Sequence, residues 1–292
     1  MTKPYIIITS GPSGSGKTLV AEKTIEYLKL LDKDMSTSFT KILIDDLIEN
    51  NIAYKERISS IIKECVDEYK QSSGNIKECF MCSKPNCYYL RPDVFEKLSK
   101  SYWYVRTKPY CNESSPINCA ILNDELLKQA VEKNENIVFE ITGANTMPTW
   151  ILSDPFISKE YNVIFSYSLL NIDDLIIRNI NRFEKSLQNF NIDNSNPAPR
   201  IPNIEYNNIE KHVYEIRSSL LKLYNKCVID HNIFTCNKYK INKLLIFDNN
   251  DTDMKLIFDS DINKYTLPEL AVIVNKILRL ENKLVETNLL NL

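Results

Sequence analysis

Glycine is scarce in this chain: 5 residues out of 292. A chain that uses so little glycine places each one where backbone freedom is required, so the positions carry information. Histidine is scarcer still, with only His212 and His231, and neither lies near the acidic or phosphate-type motifs. That argues against a histidine-based triad or acid–base pair. No apolar run approaches the roughly 20 residues that a membrane-spanning helix needs. Charge is balanced, with a formal net of −2, so bulk electrostatics advertise neither nucleic acid nor an anionic membrane, although a local basic groove stays open. The opening Met1-Thr2-Lys3-Pro4 leads straight into an apolar segment, not the h-region of a signal peptide. A cytoplasmic location is therefore the expectation, with the 8 cysteines reduced.

What the chain does have is a hydrophobic share of 43%, enough for a substantial core. Five short apolar runs read as buried parallel strands: Tyr5–Thr9, Lys41–Ile44, Ile137–Ile141, Val163–Tyr167 and Lys243–Phe247. Helical spacing fills the intervals. In Lys17–Leu31 the positions Val20, Thr24, Leu28 and Leu31 share a face. Near the end, Thr266 and Glu269 form a capping-box pattern, with Pro268 in the first turn and an apolar stripe of Leu270, Val274, Ile277 and Leu278. Strands alternating with helices predict an α/β fold, a three-layer arrangement around a five-stranded, mainly parallel sheet, in one domain over residues 1–292. Two segments break the rhythm. An insert at about 52–133 holds Cys65, Cys79, Cys82, Cys87, Cys111 and Cys119 and reads as helical and cysteine-rich. A lid or loop at about 178–208, rich in Asn and Pro from about residue 186, reads as mobile.

Gly11, Gly14 and Gly16 fall in one short stretch, Gly11-Pro12-Ser13-Gly14-Ser15-Gly16-Lys17-Thr18, which fits G-x-x-x-x-G-K-[ST] between a strand and a helix. Successive backbone N–H groups can converge on a phosphate only where side chains are absent and φ is free. The helix that follows adds its positive end. Lys17 is expected at the β- and γ-phosphates of a nucleoside triphosphate, exposed while the loop is empty, and the Thr18 hydroxyl at Mg²⁺.

Acidic and basic side chains follow at intervals. Asp45 and Asp46 come at the predicted end of the second strand, where a carboxylate can accept a hydroxyl proton, hold magnesium through water, or cap a helix. Glu140 and Thr142 close the third strand on one side of it, placed to contact one substrate. After the fourth strand, Asp173 is a candidate helix cap ahead of Arg178 and Arg182, which share a helical face. Paired arginines suit a transferring phosphoryl group, though they also suit a solvated surface.

In this order the pieces resemble the zeta-toxin type of P-loop kinase, and more distantly polynucleotide-kinase-like and shikimate-kinase-like enzymes. The matching elements are Gly11–Thr18, Ile44-Asp45, Glu140-x-Thr142, Arg178-x3-Arg182 and Leu245-Ile-Phe-Asp248-Asn249. The resemblance implies Asp45 as the base, Glu140 and Thr142 at the acceptor, Arg178 and Arg182 on ATP, and Asn249 near the nucleotide. It departs from the family at Leu47, where a second Asp is usual and Asp46 is displaced by one, and at Gly143-Ala-Asn145, where Arg is common. The implied activity is transfer of the γ-phosphoryl group of ATP to a hydroxyl of a small acceptor, a nucleotide sugar or a nucleoside-like molecule. An antitoxin-like protein partner is left open, and nucleic acid is not excluded. The alternatives are a kinase of polynucleotide or nucleoside 5′ ends and a P-loop switch or binding protein that hydrolyses slowly.

Cys79-x2-Cys82-x4-Cys87, with Cys65 or Cys111 as a fourth ligand, is the one zinc candidate. A single C-x-x-C knuckle is weighed against reduced thiols that fill core spaces. Tyr102-Trp103-Tyr104 with Arg106 and Lys108 reads either as a stacking surface for a base or sugar or as packing at strand or loop spacing. Arg200, in Pro199-Arg-Ile-Pro202, is a further lid candidate.

Overall fold

The computed structural model describes residues 3–69, 80, 91–107, 118–143, 161–202, 206–225 and 241–280. These divide into two compact units, one of residues 1–42, 128–175 and 206–292, the other of residues 43–127 and 176–205. The insert and the loop that interrupt the sequence pattern supply most of the second unit. Among the described residues no helix is long and apolar enough to cross a membrane.

The first unit is built on a six-stranded sheet in the order β2-β3-β1-β4-β5-β6. Its strands are β1 (Tyr5–Ser10), β2 (Thr40–Ile42), β3 (Ile137–Ile141), β4 (Asn162–Leu169), β5 (Lys243–Asp248) and β6 (Lys255–Asp259). All neighbours pair in parallel except β5 and β6, which are antiparallel. The expected five-stranded sheet is thus corrected to a mixed six-stranded one. The missed strand, Lys255-Leu-Ile-Phe-Asp259, follows the polar run Asn249–Asp253, and a tight return of that kind needs no crossover helix.

Helix α1 (Lys17–Leu31) covers one sheet face. There Val20, Ala21 and Leu28 join Ile7, Val138, Ile164, Leu245 and Phe247 in a single cluster. Thr24 adds a hydrogen bond from its hydroxyl to Ser166 Oγ at 2.8 Å. Leu31, assigned by spacing to the apolar face, is 57% exposed, because the helix ends at that residue, past the edge of the packed surface. The alternation of β1 sends Ile6 and Ile8, both fully buried, to the opposite face. The last helix of the described chain, Leu267–Leu278, has the predicted capping box and buries Leu270, Val274, Ile277 and Leu278.

In the second unit the helices are α2 (Ile44–Glu49), α3 (Ile52–Tyr69), α4 (Pro92–Thr107), the start of α5 (Cys119–Glu132) and most of α6 (Ile172–Ile192). Tyr54, Ile58, Ile61, Ile62 and Cys65 of α3 pack with Val94, Leu98 and Val105 of α4 and with Phe183, Leu187 and Phe190 of α6. Each set repeats every three or four residues, which puts it on one face of its helix. Residues 186–192, read from sequence as part of a mobile loop, are instead the last turns of α6. The cause is the apolar stripe that Leu187 and Phe190 continue. Helix α6 is capped by Asn171, whose Oδ1 accepts from the Asp174 N–H at 3.0 Å. Asp173 therefore lies inside the first turn and is not the cap.

Candidate active site

The Gly11–Thr18 loop leaves the carboxyl end of β1, the strand whose neighbours are β3 on one side and β4 on the other. In open α/β sheets this reversal of strand order leaves a crevice at the carboxyl ends, where ligands bind. Gly14 and Gly16 lie at φ 87° and 89°, a region that L side chains rarely adopt. A Cβ on Gly11 would lie 2.5 Å from both Ser15 Oγ and the Ser168 carbonyl oxygen, and one on Gly16 would lie 2.6 Å from Asn249 Nδ2. The loop is therefore closed to side chains at both ends. Its Ser15 carbonyl accepts from Ser168 Oγ at 2.5 Å and from Asn249 Nδ2 at 2.6 Å, so β4 and the end of β5 brace it. Gly16 is the N-cap of helix α1, and no side chain caps it. The Ser15 hydroxyl is buried and without a hydrogen-bond partner among the described residues. An uncapped helix N-terminus beside a loop that excludes Cβ atoms fits a phosphate group, and the exposed Thr18 hydroxyl fits a magnesium ion carried with it.

Lys17 departs from expectation. It is 8% exposed, not open to solvent. Its ammonium donates to the Gly11 and Pro12 carbonyls at 3.2 and 3.4 Å and pairs with Glu140 Oε1 at 3.3 Å. Glu140 reaches it because β3 is in register with β1, Thr9 opposite Glu140. A buried ammonium needs a counter-charge and acceptors; Glu140 of β3 provides the first and the loop carbonyls the second. Thr142 does not accompany Glu140 on one strand face: β3 ends at Ile141 and Thr142 is exposed beyond it.

The predicted acidic strand end is also corrected. β2 stops at Ile42, and Ile44, Asp45 and Asp46 open α2. Two carboxylates in a first turn favour helix there, through the macrodipole. The two differ sharply in surroundings. Asp46 is 57% exposed, whereas Asp45 is 21% exposed, with Tyr102 Oη donating to its Oδ1 at 2.6 Å and Arg200 Nη1 at 2.6 Å from its Oδ2. Arg200 Nε also lies 2.5 Å from Glu49 Oε1, and its Nη2 is 3.8 Å from Asp46. Arg106 donates to the Tyr102 hydroxyl at 2.9 Å. Burial pushes the Tyr102 phenol up, with Asp45 adding to it. Burial likewise raises Glu49 above the usual carboxylate range, Arg200 opposing and Asp45 and Asp46 reinforcing.

Sequence reasoning treated the Tyr102–Tyr104 cluster as strand or loop, but it lies on α4. It also left Arg200 as a minor candidate and missed Glu49. The available signal was the i, i+4 spacing of Asp45 and Glu49, two acids that need a cation. Arg178 and Arg182 sit on α6, half-buried, and Arg182 donates to Asn179 Oδ1 at 3.0 Å. The structure thus brings Gly11–Thr18, Glu140 and Asn249 together in the first unit, and Asp45, Glu49, Tyr102, Arg106 and Arg200 together in the second.

The zinc candidates Cys79, Cys82, Cys87 and Cys111 lie outside the described residues, as do Lys108 and His231. Cys65 is disulfide-bonded, which corrects the expectation of uniformly reduced thiols and removes it as a thiolate ligand. Cys119 is a free, buried thiol. Among the described residues no group of three or more His, Cys, Asp or Glu side chains is placed to hold a metal ion.

These features define an α/β fold with a mixed six-stranded sheet, a glycine-bearing loop at the end of its first strand and an acid–arginine cluster in its helical unit. The sequence matches no protein-family model and no curated protein. Among solved structures it is similar to a chain from the PezAT chromosomal toxin–antitoxin system of the human pathogen Streptococcus pneumoniae. That match has a TM-score of 0.52 and 14% identity, and it covers 95% of this chain and 78% of the other. At this identity the likeness is one of fold.

Proposed function

We propose that the chain is an ATP-dependent kinase that transfers the γ-phosphoryl group to a hydroxyl of a small acceptor, of nucleotide-sugar or nucleoside type. The observation that carries this reading is the Gly11–Thr18 loop, closed to side chains, uncapped at its helix and holding a buried lysine. In this proposal the loop's N–H groups and Lys17 bind the triphosphate, and Asn249 keeps the loop in shape. Thr18 would hold a magnesium ion carried with the nucleotide, which would offset phosphate charge. Asp45 takes the proton of the acceptor hydroxyl, Glu140 and Thr142 contribute to the acceptor side, and Arg178 and Arg182 neutralise charge that develops on the transferring group.

The test is a screen of γ-labelled ATP against pooled nucleosides, nucleotide sugars and oligonucleotide 5′ ends, run with the native chain, Asp45→Asn and Asp46→Asn. Label is expected in a small acceptor. Asp45→Asn should lower turnover by roughly 10²–10⁴, the usual contribution of a positioned base, with Asp46→Asn close to native. Label appearing on oligonucleotide ends would shift the assignment to a 5′-end kinase. Release of label as inorganic phosphate alone, unaffected by Asp45→Asn, would replace the kinase with a hydrolytic switch.

A further inference from the structure

We infer that Arg200 is the positioning residue of Asp45, and that it holds the Asp45 carboxylate ionised against its neighbour Glu49. This inference rests on the reading of Asp45 as the base. Asp45 and Glu49 are one turn apart on α2, and like charges at that spacing repel. Their side chains are 21% and 18% exposed, so water does little to screen them. A pair of close, half-buried carboxylates relieves this by keeping a proton on one of them. The Arg200 guanidinium lies between the two, 2.6 Å from Asp45 Oδ2 and 2.5 Å from Glu49 Oε1. A forked, permanently charged group is suited to that place, and an ammonium could not span both acids with the same geometry.

The other groups around Asp45 do not substitute for it. Tyr102 is a neutral donor to Oδ1, Arg106 stands 4.0 Å from Oδ1 and is spent on the Tyr102 hydroxyl, Tyr54 is a buried phenol, and Asp46 adds negative charge. With Tyr102 on one oxygen and Arg200 on the other, the carboxylate plane is fixed.

The backbone that delivers Arg200 is braced. Pro197, Pro199 and Pro202 fix φ around it. The Ala198 N–H donates to the Glu49 carbonyl at 2.8 Å, and the Tyr54 hydroxyl donates to the Pro199 carbonyl at 2.9 Å. These two hydrogen bonds tie the segment to α2 and α3. A proline-rich stretch that reads from sequence as a loose lid acts here as a strut for one carboxylate.

The experiment follows the carboxyl ¹³C resonance of Asp45 in the full chain labelled with ¹³C-aspartate, assigned by its loss in Asp45→Asn. Arg200→Ala should raise its titration midpoint by about 1–3 pH units, the range for an opposite charge at contact. Adding Glu49→Gln to Arg200→Ala should bring the midpoint back down, which a merely structural role for Arg200 would not do. Glu49→Gln alone should lower the midpoint, and this variant keeps the test alive if Arg200→Ala does not fold. In labelled-ATP turnover the acid limb of the pH profile should move with the midpoint, and Arg200→Lys should restore part of the shift. An unchanged midpoint in Arg200→Ala, or a rise that Glu49→Gln fails to reverse, overturns the inference. Native turnover in Asp45→Asn would instead overturn the base assignment, whatever Arg200 does.

Discussion

Replacing Lys17 with Met, the obvious way to disable the loop, should also unsettle the fold, and the structure says by how much. The ammonium is 8% exposed and its partner Glu140 is 14% exposed, 3.3 Å away. Removing one member of a buried ion pair costs about 3–5 kcal/mol, most of it from the charge left behind. Partial exposure of Glu140 places the cost lower, at about 2–4 kcal/mol. The Gly11 and Pro12 carbonyls lose a donor as well. For a chain of 292 residues each kcal/mol moves Tm by about 1.5–2 °C, so Lys17→Met should melt roughly 3–8 °C below native. Lys17→Met/Glu140→Gln should recover about half of that, since no charge is stranded, yet remain as inactive as the single variant. Thermal unfolding by circular dichroism, paired with the labelled-ATP assay, measures the two effects separately. A single variant that melts at the native temperature, or a double variant no more stable than the single, would refute the ion pair as the reason for the lysine's burial.

Two further outcomes follow from the same geometry. Asn249→Ala removes one of the two donors to the Ser15 carbonyl and should cost about 0.5–1.5 kcal/mol of loop order, seen as a loss of up to roughly tenfold in ADP affinity by calorimetry, with the sheet intact. Asp259, 2% exposed, is held below the usual carboxylate range: burial opposes this, but Tyr27, the Asp261 N–H and Lys243 outweigh it. A depressed folded-state pKa means that its stabilisation is present above the ordinary value of 3.8 and fades as pH falls through the folded-state pKa. Asp259→Asn should therefore lower Tm at pH 7, and the difference from native should close in acid. A difference that persists unchanged at the lowest pH where both fold would contradict this.

β1, β3, β4 and β5 were legible because they are short, mostly buried apolar runs, a pattern that needs no tertiary information. The run at 137–141 and the helix at 17–31 fall where spacing put them. Thr266, Pro268 and Glu269 marked the last helix because a capping box is a local interaction. The boundaries failed where a local preference competed with the apolar count. Ile44 extends the apolar run of β2, but the two aspartates after it favour a helix start, and the helix takes Ile44. β6 failed for a different reason: an antiparallel edge strand is recognised through its partner, and Leu256-Ile257-Phe258 alone is too brief to stand out.

Site residues divide along the same line. The loop at Gly11–Thr18 was readable because its shape depends on backbone conformation, which glycine spacing reports directly. The burial of Lys17 was not, since it depends on Glu140, 123 positions away in sequence, being brought alongside by strand register. Asp45 could be named but not distinguished from Asp46 by sequence, because the difference lies in what encloses them. The enclosing residues come from α4 and from the proline-rich segment, 57 and 155 positions further along. One regularity could have narrowed the search. Asp45 and Glu49 repeat at helical spacing on a face that Ile48, fully buried, turns partly inward. Two acids drawn toward an apolar interior need a cation that arrives from outside the helix. Eight arginines follow in this chain, and of these only Arg200 has a proline within two residues on each side, Pro199 and Pro202, to hold it in place without a helix or a strand.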